Sequence, residues 1–282
     1  MGLQKKTLAL IEAAHQVLSG YNPMTLRQVY YRLVSGQVLK NTRGQYQSLS
    51  VALVKARQMG IIPWPWIEDR TRHPRQKSMW GGLPDFAETA VRAYSLDVWG
   101  TQPAYLEVWL EKDALSGVFE GVLHKYGIAL NVGRGYDGWS SIHGAAGRYK
   151  ARGADGITVL YFGDFDPSGE DMVRSLRDRL AFFGLEPEVV KIALTNDDVE
   201  RYQLPPDFTK KTDTRSAAFV ERWGDMAVEL DALPPDVLET RLRAEVETRM
   251  DLDALERVWQ QERADRERLA ALLGAGGHTE TG

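Results

Sequence analysis

The chain has 282 residues, 43% hydrophobic and 26% charged, which fits a soluble globular protein with a core of its own, and it has no cysteine, which excludes disulfides and thiolate metal sites. The net charge of −4 divides unevenly: residues 1–80 carry twelve Lys/Arg against three Asp/Glu, a net +9, and the remainder carries −13. The start Met1-Gly-Leu-Gln-Lys-Lys6 opens an amphipathic run rather than an apolar signal core, and no apolar stretch approaches the ~20 residues of a bilayer span, so a cytoplasmic protein with no membrane partner is expected.

In chain order, residues 4–19 read as a first helix, with Leu8, Ile11, Ala14, Val17 and Leu18 at helical spacing and Gly20, Asn22 and Pro23 behind them. Thr25 can cap a second helix through about Ser35, whose buried stripe would be Leu26, Val29, Tyr30 and Leu33, and Gly36 stops it. A third helix is expected over 46–59, ended by Gly60. Ile61-Ile-Pro-Trp-Pro-Trp-Ile67 is predicted extended, because each proline disfavours helix at the residue before it. Three short helices and a strand-like wing suggest a winged helix over residues 1–77, a module that commonly lays a helix on DNA.

A linker at 78–84 leads to a helix at about 85–98. Strands and helices then alternate: strands at Ala104–Leu110, Ile128–Val132, Ile157–Phe162 and Val189–Leu194, with helices at 112–126, 138–152 and 168–183. That order predicts an α/β domain over 85–250 with a mostly parallel sheet and ligands at the carboxyl ends of its strands. Residues 195–225 read as irregular and Met226–Leu230 as a last strand. Pro234-Pro235 opens a helix to about 250, and a C-terminal part, 251–282, comprises a charged helix over 252–273 and a disordered tail.

Two of these strands end in carboxylates. The first runs into Glu111 and another into Gly163-Asp-Phe-Asp166, where side-chain alternation puts Asp164 and Asp166 on one side. Pro167-Ser-Gly169 then turns the chain into a helix, with Ser168 as the expected N-cap. If the two strands are neighbours, three carboxylates meet at one edge. They would repel without a cation, and hard oxygen ligands suit Mg²⁺ at a phosphodiester. The alternative is a strand-to-helix turn with capping aspartates. The basic first 80 residues point to a polyanionic substrate.

A Glu at the end of one strand and Asp-x-Asp-Pro-x-Gly at the end of a later one resemble the Toprim domain of topoisomerases, primases and related nucleases. Glu111-Lys-Asp-Ala114 and Gly133-Arg-Gly-Tyr136 are most similar to the branch holding the topoisomerase VI A subunit and its meiotic double-strand-break relative. The resemblance implies that Glu111, Asp164 and Asp166 bind Mg²⁺, or Mn²⁺ in its place, with Glu111 also a general acid/base. In that branch a winged helix carries Arg-x-x-x-Tyr, which matches Arg27 and Tyr31, one helical turn apart on one face. A guanidinium there would steady a phenolate and hold a phosphate, and the resemblance makes Tyr31 the nucleophile that ends covalently on a DNA 5′ phosphate. An ordinary helix-contact tyrosine is the alternative, and Gln28 stands where an acid is usual. In the family the tyrosine of one protomer meets the acids of its partner, which implies a homodimer on double-stranded DNA. The short chain is most similar to the stand-alone Mini-A type, with a separate ATPase subunit as a candidate partner. A hydrolytic Toprim nuclease using metal-activated water and a non-catalytic DNA-binding protein remain alternatives.

Arg57, Arg70, Arg72, Arg75, Lys77 and Arg134 are the expected DNA contacts. Lys210-Lys-Thr-Asp-Thr-Arg215 is either a second backbone contact or a solvated loop. Glu229-Leu-Asp231 reads as a cap for the helix after Pro234-Pro235, with a further acid near the metal as the other reading. The five histidines lack ligand spacing, His143 is a candidate lining residue, and Trp64 and Trp66 are expected to pack the wing.

Overall fold

A computed structural model describes residues 5–68, 77–133, 138–153, 156–206, 216–224 and 226–275. The N-terminal part holds α1 (Lys5–Gly20), β1 (Met24–Thr25), α2 (Leu26–Ser35), α3 (Arg43–Gln58) and β2 (Ile67–Glu68). Thr25 caps α2 as expected, and does so reciprocally: its hydroxyl accepts from Gln28 N–H while the Gln28 side chain accepts from Thr25 N–H at 2.6 Å. Gln28 is therefore spent on the cap. α3 starts three residues earlier than its apolar spacing suggests, because Thr42 caps it through Gln45 N–H.

The segment after α3 is not the extended run expected. Trp64–Trp66 form a 3₁₀ turn, which Pro65 tolerates because its fixed φ suits a first helical turn. Arg57 stabilises that turn, donating to the carbonyls of Trp64 at 3.0 Å and Ile67 at 3.3 Å and lying 4.2 Å from the Trp64 ring centre. Only Ile67–Glu68 is extended, pairing in parallel with Met24–Thr25; among the described residues no hairpin follows α3.

α4 (Leu83–Ala93) ends five residues before the expected boundary. Arg266 takes the Tyr94 carbonyl and Glu262 accepts from Leu96 N–H, so the chain is drawn out of helix and against the C-terminal helix. Then come β3 (Tyr105–Leu110), α5 (Ser116–Leu123), β4 (Ala129–Val132), α6 (Trp139–Arg152), β5 (Ile157–Phe162), α7 (Pro167–Ala181) and β6 (Glu188–Ala193). α5 is shorter than expected because a 3₁₀ turn flanks it on each side, at Asp113–Leu115 and His124–Tyr126. The four strands form one parallel sheet in the order β4-β3-β5-β6, and the fold is mixed α/β.

β3 is buried along its whole length, as an inner parallel strand covered on both faces must be. Phe119 of α5 stacks edge-on against Phe162 on one face. On the other face Tyr149 and Arg148 of α6 reach Glu107 of β3. That carboxylate has no exposure and accepts from Tyr105, Tyr149, Asn131 and Arg148 at 2.6–3.1 Å. Burial, then the Glu107 charge, pushes the Tyr105 hydroxyl up to about 12, so it remains a donor.

The stretch expected to be irregular contains α8 (Asn196–Arg201), capped reciprocally by Thr195 and Asp198, and α9 (Ser216–Trp223). In place of the expected strand 226–230 the structure has isolated bridging, with Val228 paired antiparallel to Phe165. It stops there because Leu230 N–H turns to the Asp164 carboxylate and a 3₁₀ turn follows over Leu230–Ala232. α10 (Pro235–Glu247) and α11 (Leu252–Ala275) close the chain, with α11 lying along α4. No described helix is long and apolar enough to cross a membrane.

Candidate active site

The order β4-β3-β5-β6 makes the carboxyl ends of β3 and β5 the place where successive connections leave in opposite directions, which is where open α/β sheets form their crevice. Glu111 continues the β3–β5 ladder by one rung, its N–H donating to Phe162 O at 2.9 Å. Its Oε2 accepts from the Tyr161 hydroxyl and from Asp164 N–H, each at 3.0 Å. Gly163 permits this: a Cβ there would collide with the Tyr161 ring and stand 2.6 Å from Glu111 Oε2. Gly169 permits the next turn, since a Cβ there would run into the Asp164 carbonyl.

Asp164 is buried. Its Oδ1 accepts from Leu230 N–H at 2.8 Å, and its Oδ2 pairs with Lys112 Nζ at 2.7 Å. Asp166, not Ser168, caps α7: its Oδ1 accepts from Gly169 N–H at 2.6 Å, because Pro167 already occupies the first helical position. Burial, then the neighbouring Asp164 charge, raises the Glu111 carboxyl above its ordinary range. Burial also raises the Asp166 carboxyl, with the Gly169 amide opposing and Asp164 adding to the shift. Lys191 donates to the Asp164 carbonyl at 2.9 Å and to Glu170 at 2.6 Å.

Glu229 and Asp231 do not cap α10, whose N-cap is Pro234. Glu229 Oε2 pairs with Lys112 Nζ at 2.8 Å and with Arg27 Nη2. Asp231, whose side chain is fully buried, pairs with Arg27 Nε at 2.6 Å. Arg27 thus ties α2 to the acidic edge, with Tyr31 on the same face and its ring centre 5.7 Å from the guanidinium carbon. Tyr31 is 6% exposed, and Tyr30 is core as expected, its hydroxyl accepting from Thr42 N–H at 2.7 Å. A pocket of about 280 Å³ opens between Arg27, Tyr31, Arg43, Tyr46 and Glu229.

The structure therefore brings Glu111 against Asp164, and Arg27 and Tyr31 to the same edge through Glu229. Asp166 spends one oxygen on the start of α7. Arg57 is engaged with the Trp64–Trp66 turn, and Lys77 is exposed. Arg70, Arg72, Arg75 and Arg134, with Tyr136 and the 210–215 loop, lie outside the described residues. His143 packs on Phe183 at 5.5 Å, away from the acids. Sequence reasoning missed Lys112 and Lys191. The first follows Glu111 directly, and the second is the single charge within Val189-Val-Lys-Ile-Ala193, so each carried a signal.

By donor chemistry Glu111, Asp164 and Asp166 suit a hard divalent cation; burial, with the Asp164 charge adding to it, raises the Glu111 and Asp166 carboxyls, and a cation would offset both effects. In the arrangement seen, the Lys112 ammonium supplies positive charge between Asp164 and Glu229, and among the described residues no group of three or more His, Asp or Glu is gathered around a common point for a metal. Comparison with protein-family models, with curated proteins and with solved structures finds no match for the chain.

Proposed function

We propose that the chain is a Mg²⁺-dependent DNA-cleaving enzyme of the topoisomerase VI A type, with a winged-helix module over 1–77 and a Toprim domain over 85–250. The observation that carries this reading is the meeting of Glu111 and Asp164 at the ends of adjacent parallel strands, with the Arg27/Tyr31 helix joined to that edge through Glu229. Glu111, Asp164 and Asp166 would hold Mg²⁺, or Mn²⁺, which would neutralise phosphate charge there.

In the step proposed, the Tyr31 oxygen attacks phosphorus and the bond from phosphorus to the 3′ oxygen breaks. The 5′ phosphate stays on Tyr31, the tyrosine gives up its proton and the departing 3′ oxygen gains one. Arg27 steadies the phenolate. Glu111, with a carboxyl already raised by burial, is the group to exchange those protons. Double-stranded DNA is the substrate and a homodimer the expected assembly. Without an ATPase subunit, cleavage rather than strand passage is the expected outcome.

The burial of Tyr31 favours a second reading, hydrolysis by metal-activated water. Wild type, Tyr31→Phe and Asp164→Ala are incubated with supercoiled DNA and Mg²⁺, and the ends are tested for attached protein. Protein-linked 5′ ends, lost in both variants, are expected. Free 5′-phosphate ends, with cutting that survives Tyr31→Phe but not Asp164→Ala, select hydrolysis. DNA binding without any cutting by wild type would leave only a binding module.

A further inference from the structure

We propose that two copies of this chain associate through the end of the α4/α11 pair where α4 starts and α11 closes. The inference names a surface for the expected homodimer, but it stands on exposed apolar area and charge and not on the cleavage chemistry.

Hydrogen bonds set the two helices antiparallel. The Tyr94 hydroxyl meets Asp265 at 3.2 Å, and the Tyr94 carbonyl accepts from Arg266 at 2.9 Å. Leu96 N–H, further along the chain, meets Glu262, further back on α11. Eight residues back from Tyr94 and eight forward from Asp265, ~12 Å at ~1.5 Å per residue, bring Phe86 level with Leu273. The first turn of α4 and the last turns of α11 therefore lie together.

That end of the pair is apolar and open to water. Met79, Trp80, Leu83, Phe86, Leu272 and Leu273 are each 38–82% exposed. Trp80 and Phe86 stack edge-on at 4.8 Å, so the residues before α4 fold back onto its start and join the same patch. α4 buries no residue within its own chain, although a short helix in a protein draws most of its stability from packing an apolar face. At ~200 Å² for each large side chain in full exposure, the six leave roughly 700 Å² in water. That exceeds the ~300–600 Å² of the largest patch on a typical monomer and approaches the ~800 Å² that each partner gives to a standard interface.

The charges beside the patch select a second copy as its occupant. Along α4 the exposed acids Asp85 and Glu88 come first and the exposed Arg92 comes last. An antiparallel copy of α4 sets Arg92 of one chain against the acids of the other, and a two-fold axis makes that pairing twice. The same acids would repel a polyanion from the patch.

The full chain, without DNA or metal, is run in sedimentation velocity over a concentration series, as wild type and as Leu83→Glu/Leu272→Glu. Both leucines lie mostly in water in the single chain, so the fold is kept, which circular dichroism verifies. A wild-type dimer is expected, with a dissociation constant at least about a hundred-fold larger in the variant, because each lost apolar contact counts twice across a two-fold axis. A wild type that stays monomeric, or a variant that dimerises as tightly as wild type, would overturn the proposal. Hydrogen exchange then compares dilute and concentrated wild type. Slower exchange over 79–93 and 266–273 in the concentrated sample is expected. A dimer that protects other segments and leaves these two unchanged would place the interface elsewhere and overturn it. Neither result touches the cleavage reading, which the protein-linked ends decide.

Discussion

Replacing Arg27 by Met removes the cation that Asp231 faces. Removing one partner of a buried ion pair costs about 3–5 kcal/mol. Here Asp231 is fully buried but Arg27 keeps 39% of its side chain in water, which weakens the pair and brings the expected loss to about 2–3 kcal/mol. The stranded carboxylate can also escape by taking a proton; from an ordinary value near 3.9 that costs about 4 kcal/mol at pH 7, which caps the effect. Two consequences follow that a simple loss of packing would not produce. In Arg27→Met/Asp231→Asn no charge is stranded, so stability returns to within about 1 kcal/mol of wild type. In the single variant, burial holds the folded Asp231 carboxyl above its unfolded value, as it already does in wild type. Between the two values the folded chain binds more protons, so stability falls as pH rises and the deficit shrinks on acidification from pH 7 towards 5. Urea unfolding of the wild type and the three variants of this cycle, followed by tryptophan fluorescence at both pH values, measures this. An Arg27→Met protein within about 0.5 kcal/mol of wild type, or a double variant no more stable than that single, would refute the reasoning.

Glu107→Gln turns an acceptor of five hydrogen bonds into a group that must aim an amide N–H at one of its former donors and leaves Arg148 without its carboxylate; a loss of about 3 kcal/mol is expected in the same unfolding assay, and less than 1 would show that the cluster relaxes. Gly169→Ala puts a Cβ against the Asp164 backbone carbonyl, which cannot move without shifting the acidic turn, so stability falls by about 1–3 kcal/mol in the same assay, and the proposed DNA cleavage should fall with it. Burial raises the Asp198 carboxyl, but bonds from Arg241 and Thr195 outweigh it and hold it below the ordinary range. Its contribution is therefore present above the unfolded value and lost as pH falls through the folded one; Asp198→Asn should flatten that part of the acid-unfolding curve, and an unchanged curve would count against the pair.

What was legible in the sequence is what local chemistry decides. Ile157–Phe162 lies at its expected bounds because a run of β-branched, aliphatic and aromatic residues, broken only by Thr158 and bounded by Gly156 and Gly163, favours a strand whose last four residues are buried. α2 begins where Thr25 says it should, and Glu111 meets Asp164 because both close apolar runs of adjacent strands. The errors arise where distant partners override local preference. α4 gives way at Tyr94 to groups of α11 some 170 residues later. The strand expected at 226–230 yields to one side-chain acceptor, Asp164. Glu229 and Asp231 resemble helix caps beside Pro234-Pro235, and nothing local reveals that their partner is Arg27, about 200 residues earlier. Missing Lys191 was a different failure, since a lone charge in an apolar strand already asks for a partner.

The balance of charge at the edge bears on what can bind there. Glu111, Asp164, Asp166, Glu170, Glu229 and Asp231 gather around Arg27, Lys112 and Lys191, and each of these three cations is already shared between two acceptors. Such an edge is net negative, and a DNA phosphate brought to it unaided would be repelled. The proposed substrate therefore requires two contributions that the sheet lacks: a divalent cation between acid and phosphate, and a positive surface to carry the flanking backbone. The basic excess of residues 1–80 answers the second need, and α2, held by Glu229 and Asp231, joins that segment to the acidic edge. On this view the Lys112 and Arg27 pairs are the resting counter-charges of a site that repels its substrate until a metal ion is bound.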